Sequence, residues 1–327
     1  MVDTAIVLAV GSVLHQSQLT YNRPRAMLPV LGKPMVVRNM ERLFRAGIHR
    51  YIVLVGEDEG AVAAYLNSQW LPNVEIQFIM QSLNSSLMRT LTEITHQITQ
   101  PFLITSYNTF THINFPEQLL NHYDQGNEDL LLTVAPTSIS KSSSNYLVQV
   151  SNQKIIAINS PVDNQDTNSV IAGNLAICGK NFTDFITHYY TNTSSFGKQL
   201  IDIFQLYIQN GGAAKSAETS WLLQIESDYD LLTLNRLLLD DGPDTHILSE
   251  LPASVQIIPP VRIDPHVSVG QGAQLGPRVY LESGCSVGHH ATISNAIVLQ
   301  NAVITAESQI DDSIISTRVR VQNPDKQ

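Results

Sequence analysis

Cysteine is scarce. The 327 residues hold two, Cys178 and Cys285. Two thiols make neither a disulfide framework nor a metal cluster, so a reducing, cytoplasmic setting is the default expectation. Long apolar runs are missing too. No stretch approaches the ~20 residues that a bilayer-crossing helix needs, and no membrane span is expected. The opening residues, MVDTAIVLAVGSVL, lack a basic leading region and carry Asp3, so they do not read as a signal peptide. Positive charge is thin. The net charge is -10, and only seven Lys or Arg fall between residues 51 and 254. A general nucleic-acid binder presents a basic face and is excluded. Any phosphate-holding site in the middle of the chain starts short of cations.

Core-forming residues are plentiful. At 43% hydrophobic the chain is not wholly disordered, and its length fits two domains at roughly 100–200 residues each. Two rhythms divide it. Up to about 240, short apolar runs alternate with helix-like segments. AIVLAV (5–10), YIVLVG (51–56), EIQFIM (75–80), PFLITS (101–106) and LLLTVAP (130–136) read as strands, and so does 146–158 as one long strand. Residues 34–46, 61–66, 86–97, 199–209 and 228–239 read as helices, the first with Pro34 at its start and Gly47 at its end. Strands interleaved with helices predict a parallel sheet covered on both faces. Ligands then gather at the carboxyl ends of the strands, at the loops after Val10, Met80 and Ser106.

From 255 to 321 the period is six. Val255, Val261, Val267, Ala273, Val279, Cys285, Ala291, Ile297 and Val303 begin the series, and of its twelve positions only Gln309 is polar. The positions two further on run Ile257, Ile263, Val269, Leu275, Leu281, Val287, Ile293, Leu299 and then break at Thr305, Asp311 and Thr317. A regular hexad predicts a parallel β-helix of three to four triangular coils, each short strand turning an aliphatic residue inward. DDGPD (240–244) is turn chemistry and marks a linker.

Residues 8–35 read LAVGSVLHQSQLTYNRPRAMLPVLGKPM. This resembles the opening of the sugar-1-phosphate nucleotidyltransferases, or nucleotide-sugar pyrophosphorylases: a strand ending LAAG, then G-x-G-T-R, then P-K-x-L-L-P-V-x-G-K-P-M. Thr20, Asn22, Arg23, Pro24, Met27, Leu28, Pro29, Val30, Gly32, Lys33, Pro34 and Met35 suit that pattern without a gap. The resemblance implies an α/β fold, with a Rossmann-like mixed-sheet nucleotidyltransferase domain over 1–240. A linker over 241–254 and a left-handed parallel β-helix of hexapeptide repeats over 255–322 follow. It also implies a reaction, the condensation of a nucleoside triphosphate with a sugar 1-phosphate. Two polyanions meet there, so the family site supplies backbone donors, cations and Mg2+.

Several of those groups are replaced in this sequence. Gly11 is kept, but Val13, Leu14 and His15 stand where the family has its second loop Gly, its Thr and its Arg. A branched Val impedes close backbone approach to phosphate, and His lacks the forked donors of Arg. Arg25 replaces the Lys of the P-K pair, and either touches phosphate or packs its stem on the surface. Gln81 fits the base-reading Gln, while Ser86, Leu87 and Met88 replace the Gly-Thr-Ala that follows; Met88 reads as core filler. The strand-end Gly-Asp that holds metal is Ser106-Tyr107, and Gln224 stands nearest the second metal carboxylate. Glu226 and Asp228 read better as acids at a helix start, favoured by the macrodipole. On the sugar side Glu-Lys-Pro becomes Asn159-Ser160-Pro161. Asn-Ala-Gly becomes Ile171-Ala172-Gly173, with Asn174 following late.

The expectation is a catalytically degenerate homologue acting as a regulatory or assembly subunit. It would form a homo- or hetero-oligomer, with an active paralogue as one partner, and need no cofactor. A nucleotide or sugar-phosphate ligand would be sensed through Gly11, Arg25 and Gln81, with Asn159, Gly173 and Asn174 on the sugar side. Two alternatives stay open. One is an active, Mg2+-dependent nucleotidyltransferase with a rebuilt site. The other is a β-helix acyltransferase using His290, of the His289-His290 pair, as general base; the plainer reading of that pair is an exposed turn. Cys285 reads as core. Two glycosylation triplets, at Asn181 and Asn192, have no secretory signal to support their use.

Overall fold

The computed structural model describes residues 2–10, 17–70, 74–82, 85–126, 128–136, 146–159, 170–189 and 199–322. By packing, these fall into two compact units. The first comprises Met1–Gly11 and Val36–Gln224; the second comprises Ser12–Met35 and Ile225–Gln327. In chain order the elements begin β1 (Thr4–Ala9), β2 (Pro29–Val30), β3 (Lys33–Pro34), α1 (Met35–Arg45), β4 (Arg50–Gly56), α2 (Gly60–Gln69), β5 (Glu75–Gln81) and α3 (Leu87–Thr95). They continue β6 (Phe102–Ser106), β7 (Thr109–Thr111), α4 (Phe115–Gly126), β8 (Leu130–Pro136), β9 (Leu147–Ser151), β10 (Lys154–Asn159) and β11 (Val170–Cys178). Then come α5 (Lys180–Tyr189), α6 (Leu200–Gln209), β12 (Lys215–Glu218), β13 (Leu222–Gln224) and α7 (Asp228–Asp240). No helix among the described residues is long and apolar enough to cross a membrane.

The first unit is built on one nine-stranded sheet, ordered β5-β4-β1-β6-β11-β8-β12-β10-β9. Alternation of strand and helix predicts a parallel sheet, and β5, β4, β1 and β6 are parallel. β11 instead runs antiparallel to both β6 and β8. The physical reason lies in the connections. A parallel pair needs a crossover, usually a helix, and between β8 and β11 the described chain forms only strands. The single strand expected over 146–158 is in fact a hairpin, β9 and β10, reversed at Asn152 and Gln153, both at positive φ. Two consecutive positive φ values are what a two-residue hairpin turn requires.

All six residues of β1 are buried, as a strand covered on both faces must be. On one face Ile6, Leu8, Ile52, Leu54 and Ile104 pack in a cluster with Leu91, Phe182, Ile186 and Phe204 from α3, α5 and α6. The end of α1 follows from Gly47, at φ +104: its N–H donates to the Phe44 carbonyl and that of Ile48 to the Leu43 carbonyl. That pairing closes a helix with a left-handed residue, which glycine adopts without strain.

In the second unit the hexads form a parallel β-helix of three strand ladders. The first runs through β14 (Gln256–Ile257), β17 (Gln274–Leu275), β20 (Thr292–Ser294) and β23 (Gln309–Asp311). The second runs through β15 (Val261–Ile263), β18 (Val279–Leu281), β21 (Ile297–Val298) and β24 (Ser313–Ile315), and ends in the antiparallel β25 (Arg320–Gln322). The third joins β16 (Ser268–Val269), β19 (Ser286–Val287) and β22 (Val303–Ile304). Eleven parallel strands in three ladders agree with the expected three to four coils.

The strict hexad count fails part-way. Val261 pairs with Val279, eighteen residues on, but Tyr280 pairs with Ile297 and Ile297 with Ile314, seventeen on. The corners show where the residue is lost. Left-handed residues recur at His266, Gly272, Arg278, Gly284 and His290, then one place early at Asn295, then at Asn301 and Glu307, and early again at Asp312. Beyond Asn295 the core pairs are therefore Ala296 with Val298 and Ala302 with Ile304, and Ile310 lines the core of the following strand. Val303, expected inward, is 69% exposed. Gln309, Thr305 and Asp311, which break the sequence pattern, break it because the count has slipped.

Ile304→Ala should cost about 2–4 kcal/mol in denaturant unfolding, whereas Val303→Ala should change stability by less than about 0.5 kcal/mol. An uncorrected hexad count predicts the reverse order. Both cysteines lie in cores, and burial pushes the Cys285 thiol up to about 12 and raises that of Cys178 well above the ordinary range. Neither should react with iodoacetamide near about pH 8 until the protein unfolds, as mass spectrometry of the labelled chain will show.

Candidate functional site

In the first unit, the ends of β1, β5 and β6 share one sheet edge. Leu8 of β1 lies between Leu54 and Ser106, and the Tyr107 N–H donates to the Leu8 carbonyl at 3.0 Å. Leu175 of β11 pairs with Thr105, which brings Asn174 to the level of Ser106. The strand ends from which the expected loops leave thus lie along one rim.

Gln81 ends β5 opposite Gly56. Its Nε2 donates to the Ser85 carbonyl at 3.4 Å, and its buried Oε1 has no donor among the described residues. Ser86 caps α3, its hydroxyl accepting from the Arg89 N–H at 3.3 Å. Leu87 and Met88 fill the core, as read for Met88. Gly173 is explained by packing, since a Cβ there would come within 2.8 Å of Leu222. Asn174 occupies a bulge, with Ala172 paired to Val134 and Ala176 to Leu132, so β11 carries two extra residues. Its side chain is buried, and its Oδ1 has no donor. Asn159 ends β10 opposite Leu147, which also pairs with Ile171. Gly11, Val13, Leu14, His15, Ser160, Pro161 and Asn192 lie outside the described residues.

Gln224 of β13 pairs with Thr109 of β7, two residues beyond Tyr107. Tyr107, between β6 and β7, and Gln224 of β13 are the two positions that the family resemblance sets against metal carboxylates. A buried phenol and an amide occupy them. Mg2+ is usually bound through one or two carboxylates, and neither a phenol nor a neutral amide oxygen brings that charge. Among the described residues no three His, Cys, Asp or Glu gather as metal ligands, so this donor set does not fit the ion.

In the second unit the segment 17–35 is tied to the β-helix and to α7. Arg25, expected on the surface or at phosphate, is buried with its guanidinium 3.8 Å from Asp228. Asp228, expected to serve only the helix dipole, accepts from the Ser17 hydroxyl at 2.5 Å and the Gln18 N–H at 2.8 Å. Arg23 grips Glu282 through both nitrogens at 2.8 and 2.9 Å, and Glu282 also accepts from the Gln300 N–H at 2.7 Å. Tyr21 bonds Thr317 and lies under Arg318. The Gly32 N–H donates to the Tyr280 hydroxyl, which donates to Asp264. Desolvation and that neighbouring carboxylate hold the Tyr280 phenol well above its ordinary range. The sequence signals none of these pairings, because each joins residues far apart in the chain. His290 sits at a coil corner with its ring against Gly272, edge-on to His289.

Residues 4–222 match the Nucleotidyl transferase family, and residues 257–324 match the GMPPB C-terminal domain. The chain belongs to the sugar-1-phosphate nucleotidyltransferase family. It is 24% identical over 339 residues to the bifunctional protein GlmU of Methanococcus aeolicus, covering 95% of this chain and 77% of that protein. A 67-residue stretch is 34% identical to the bifunctional IPC transferase and DIPP synthase of Aquifex aeolicus, covering 20% of this chain and 16% of that one. Two solved structures share the fold. The inositol-1-phosphate CTP transferase of T. maritima superposes with a TM-score of 0.59 at 16% identity, over 70% of this chain and 91% of that one. A UDP-glucose pyrophosphorylase complexed with UDP-glucose gives 0.62 at 11%, over 74% and 100%.

Glu282→Ala leaves Arg23 and the Gln300 N–H without their acceptor and should cost about 3 kcal/mol. Glu282→Gln keeps one acceptor oxygen and should cost less. Calorimetric unfolding of the two variants tests the order.

Proposed function

We propose that this nucleotidyltransferase homologue no longer joins nucleoside triphosphate to sugar phosphate. It serves as a regulatory or assembly subunit, oligomerising with itself or with an active paralogue. The observation that carries the reading is the pair Tyr107 and Gln224: Tyr107 lies two residues before Thr109 of β7, with which Gln224 of β13 pairs. The family reaction concentrates negative charge between two polyanions, and preorganised positive groups offset it. Losing one such group typically costs ~2–4 kcal/mol of transition-state stabilisation. A Mg2+ ion serving that reaction would find a phenol and an amide where the resemblance expects its two carboxylate ligands. Asp228, four residues beyond Gln224, already accepts from Ser17 and Gln18. The rim keeps hydrogen-bonding capacity in Gln81 and Asn174, which supports ligand sensing without turnover.

The test is pyrophosphate release, and thermal shift with nucleoside triphosphates, each with and without Mg2+. The wild type should release no pyrophosphate and should show no metal-dependent stabilisation. The Tyr107→Asp/Gln224→Asp double variant, which restores both carboxylates, should gain a Mg2+- or Mn2+-dependent rise in melting temperature. Release of pyrophosphate by the wild type would overturn the reading.

A further inference from the structure

The two ends of the nine-stranded sheet are built differently. At one end β9 pairs with β10 across a register shift between Ile155 and Ala157, and its first residues also pair with β11, Leu147 with Ile171 and Val148 with Val170. A bulge and a strand folded back on the sheet both blunt an edge. At the other end β5 pairs with β4 alone among the described residues, in unbroken register from Glu75 opposite Arg50 to Gln81 opposite Gly56. Its sequence is EIQFIMQ. Pro, a bulge and edge lysines, the usual guards of an open edge, are all missing from it. Its lone charge, Glu75, is met by Arg50 at 3.1 Å.

The Glu75 N–H donates to the His49 carbonyl at 3.2 Å. Alternate residues of a parallel strand send both backbone groups to the same neighbour. Glu75, Gln77, Ile79 and Gln81 therefore serve β4, and Ile76, Phe78 and Met80 turn theirs to the open side. The side chains alternate as well. Ile79 packs against the cluster holding Ile52, Leu54 and Leu91, which puts Ile76, Phe78 and Met80 together on the opposite face. Ile76 and Phe78 are half-buried there, and Met80 is 69% exposed. An apolar strip thus runs beside an unused row of donors and acceptors, and an added strand uses both at once.

We propose that β5 is a self-association edge: it pairs antiparallel with β5 of a second copy of this chain, about a two-fold axis at Phe78, and joins the two sheets into one. This deepens the assembly part of the function proposed above and rests on that part. The occupant follows from symmetry. Centred on Phe78, the free residues match without remainder: Ile76 meets Met80, Phe78 meets Phe78 and Met80 meets Ile76, each pair exchanging two backbone hydrogen bonds. The facing side chains are all apolar, and such cross-strand pairs stabilise a sheet. On the other face Gln77 meets Ile79 and Glu75 meets Gln81, so each carboxylate faces an amide and not another carboxylate. A two-fold contact closes on itself and stops at two copies. The antiparallel arrangement sends the two rims in opposite directions and leaves both open.

Sedimentation equilibrium of the full chain over a range of concentrations reads the assembly. Circular dichroism and thermal melting check the fold of each variant. Met80→Pro leaves the bonds to β4 in place and removes the outward Met80 N–H. It should weaken self-association at least about tenfold, the worth of two backbone hydrogen bonds across the contact. If Met80→Pro does not fold, Met80→Lys keeps the backbone, puts a charge on the apolar strip and should weaken association likewise. Disulfide formation tests the register. Phe78→Cys sets two thiols at the axis with Cα atoms about 5.5 Å apart, within bonding range, whereas Met80→Cys sets them four residues apart along the strands, out of range. Oxidised Phe78→Cys should therefore run as a covalent dimer in non-reducing electrophoresis, and Met80→Cys should not. Cys178 and Cys285 are buried and stay out of the reaction. If Phe78→Cys does not fold, Ile76→Cys/Met80→Cys should cross-link where neither single variant does. A wild type that stays monomeric up to its solubility limit, or cross-linking at Met80 as ready as at Phe78, overturns the proposal. Self-association that ignores both Met80 variants overturns this contact and leaves the broader assembly reading standing. Pyrophosphate release by the wild type would overturn the loss of catalysis and leave the contact standing.

Discussion

The second unit depends on opposite charges turned toward one another. Arg23 meets Glu282, Arg25 meets Asp228, Arg236 meets Asp312 and Arg262 meets Asp264, every one of these side chains less than a quarter exposed. Such pairs add little net stability, because desolvation offsets much of the attraction, but breaking one strands a charge. They therefore fix which surfaces meet. Tyr280, Ile297 and Ile314, between the inward residues of the second ladder, are fully buried. A β-helix face that would otherwise be exposed is covered by segment 17–35 and α7, in the register the ion pairs allow.

That internal pairing bears on chemistry. Segment 17–35 carries the best-kept part of the family signature, including Leu28, Pro29, Val30, Gly32, Lys33 and Pro34. Those residues form a short ribbon, β2 against β3, and the backbone of Leu31 and Gly32 anchors to Asn235 and Tyr280. A signature can thus survive through its scaffold role. In the first unit the rim of the sheet is retained, with Tyr107 and Gln224 at the positions the family resemblance sets against carboxylates. The architecture rests on residues other than those the resemblance assigns to chemistry.

Much of the fold was legible in the sequence. The aliphatic runs of β1 and β4, the spacing of α1 and the helical run of α7 are local patterns, and each formed where the pattern lay. The β-helix announced itself because one coil repeats the next. The direction of β11 was not legible, since strand polarity is set by what the intervening chain does in space. The hairpin at Asn152 was missed because its turn lacks the usual glycine. The slips at Asn295 and Asp312 were written only as exceptions to the hexad, Thr305, Gln309, Asp311 and Thr317, whose meaning requires the strand pairing. Among site residues, Gln81, Tyr107 and Asn174 reached the expected rim. Arg25 went to Asp228, a partner two hundred residues away that no local spacing can indicate.

By itself the sequence determined the two rhythms and the family, because periodicity and residue type are properties of the chain. The tertiary structure alone decided which charges neutralise each other, where the hexad loses its count and which surface segment 17–35 covers. Those outcomes depend on distances between residues remote in sequence, and Coulombic and packing energies follow distance, not order along the chain.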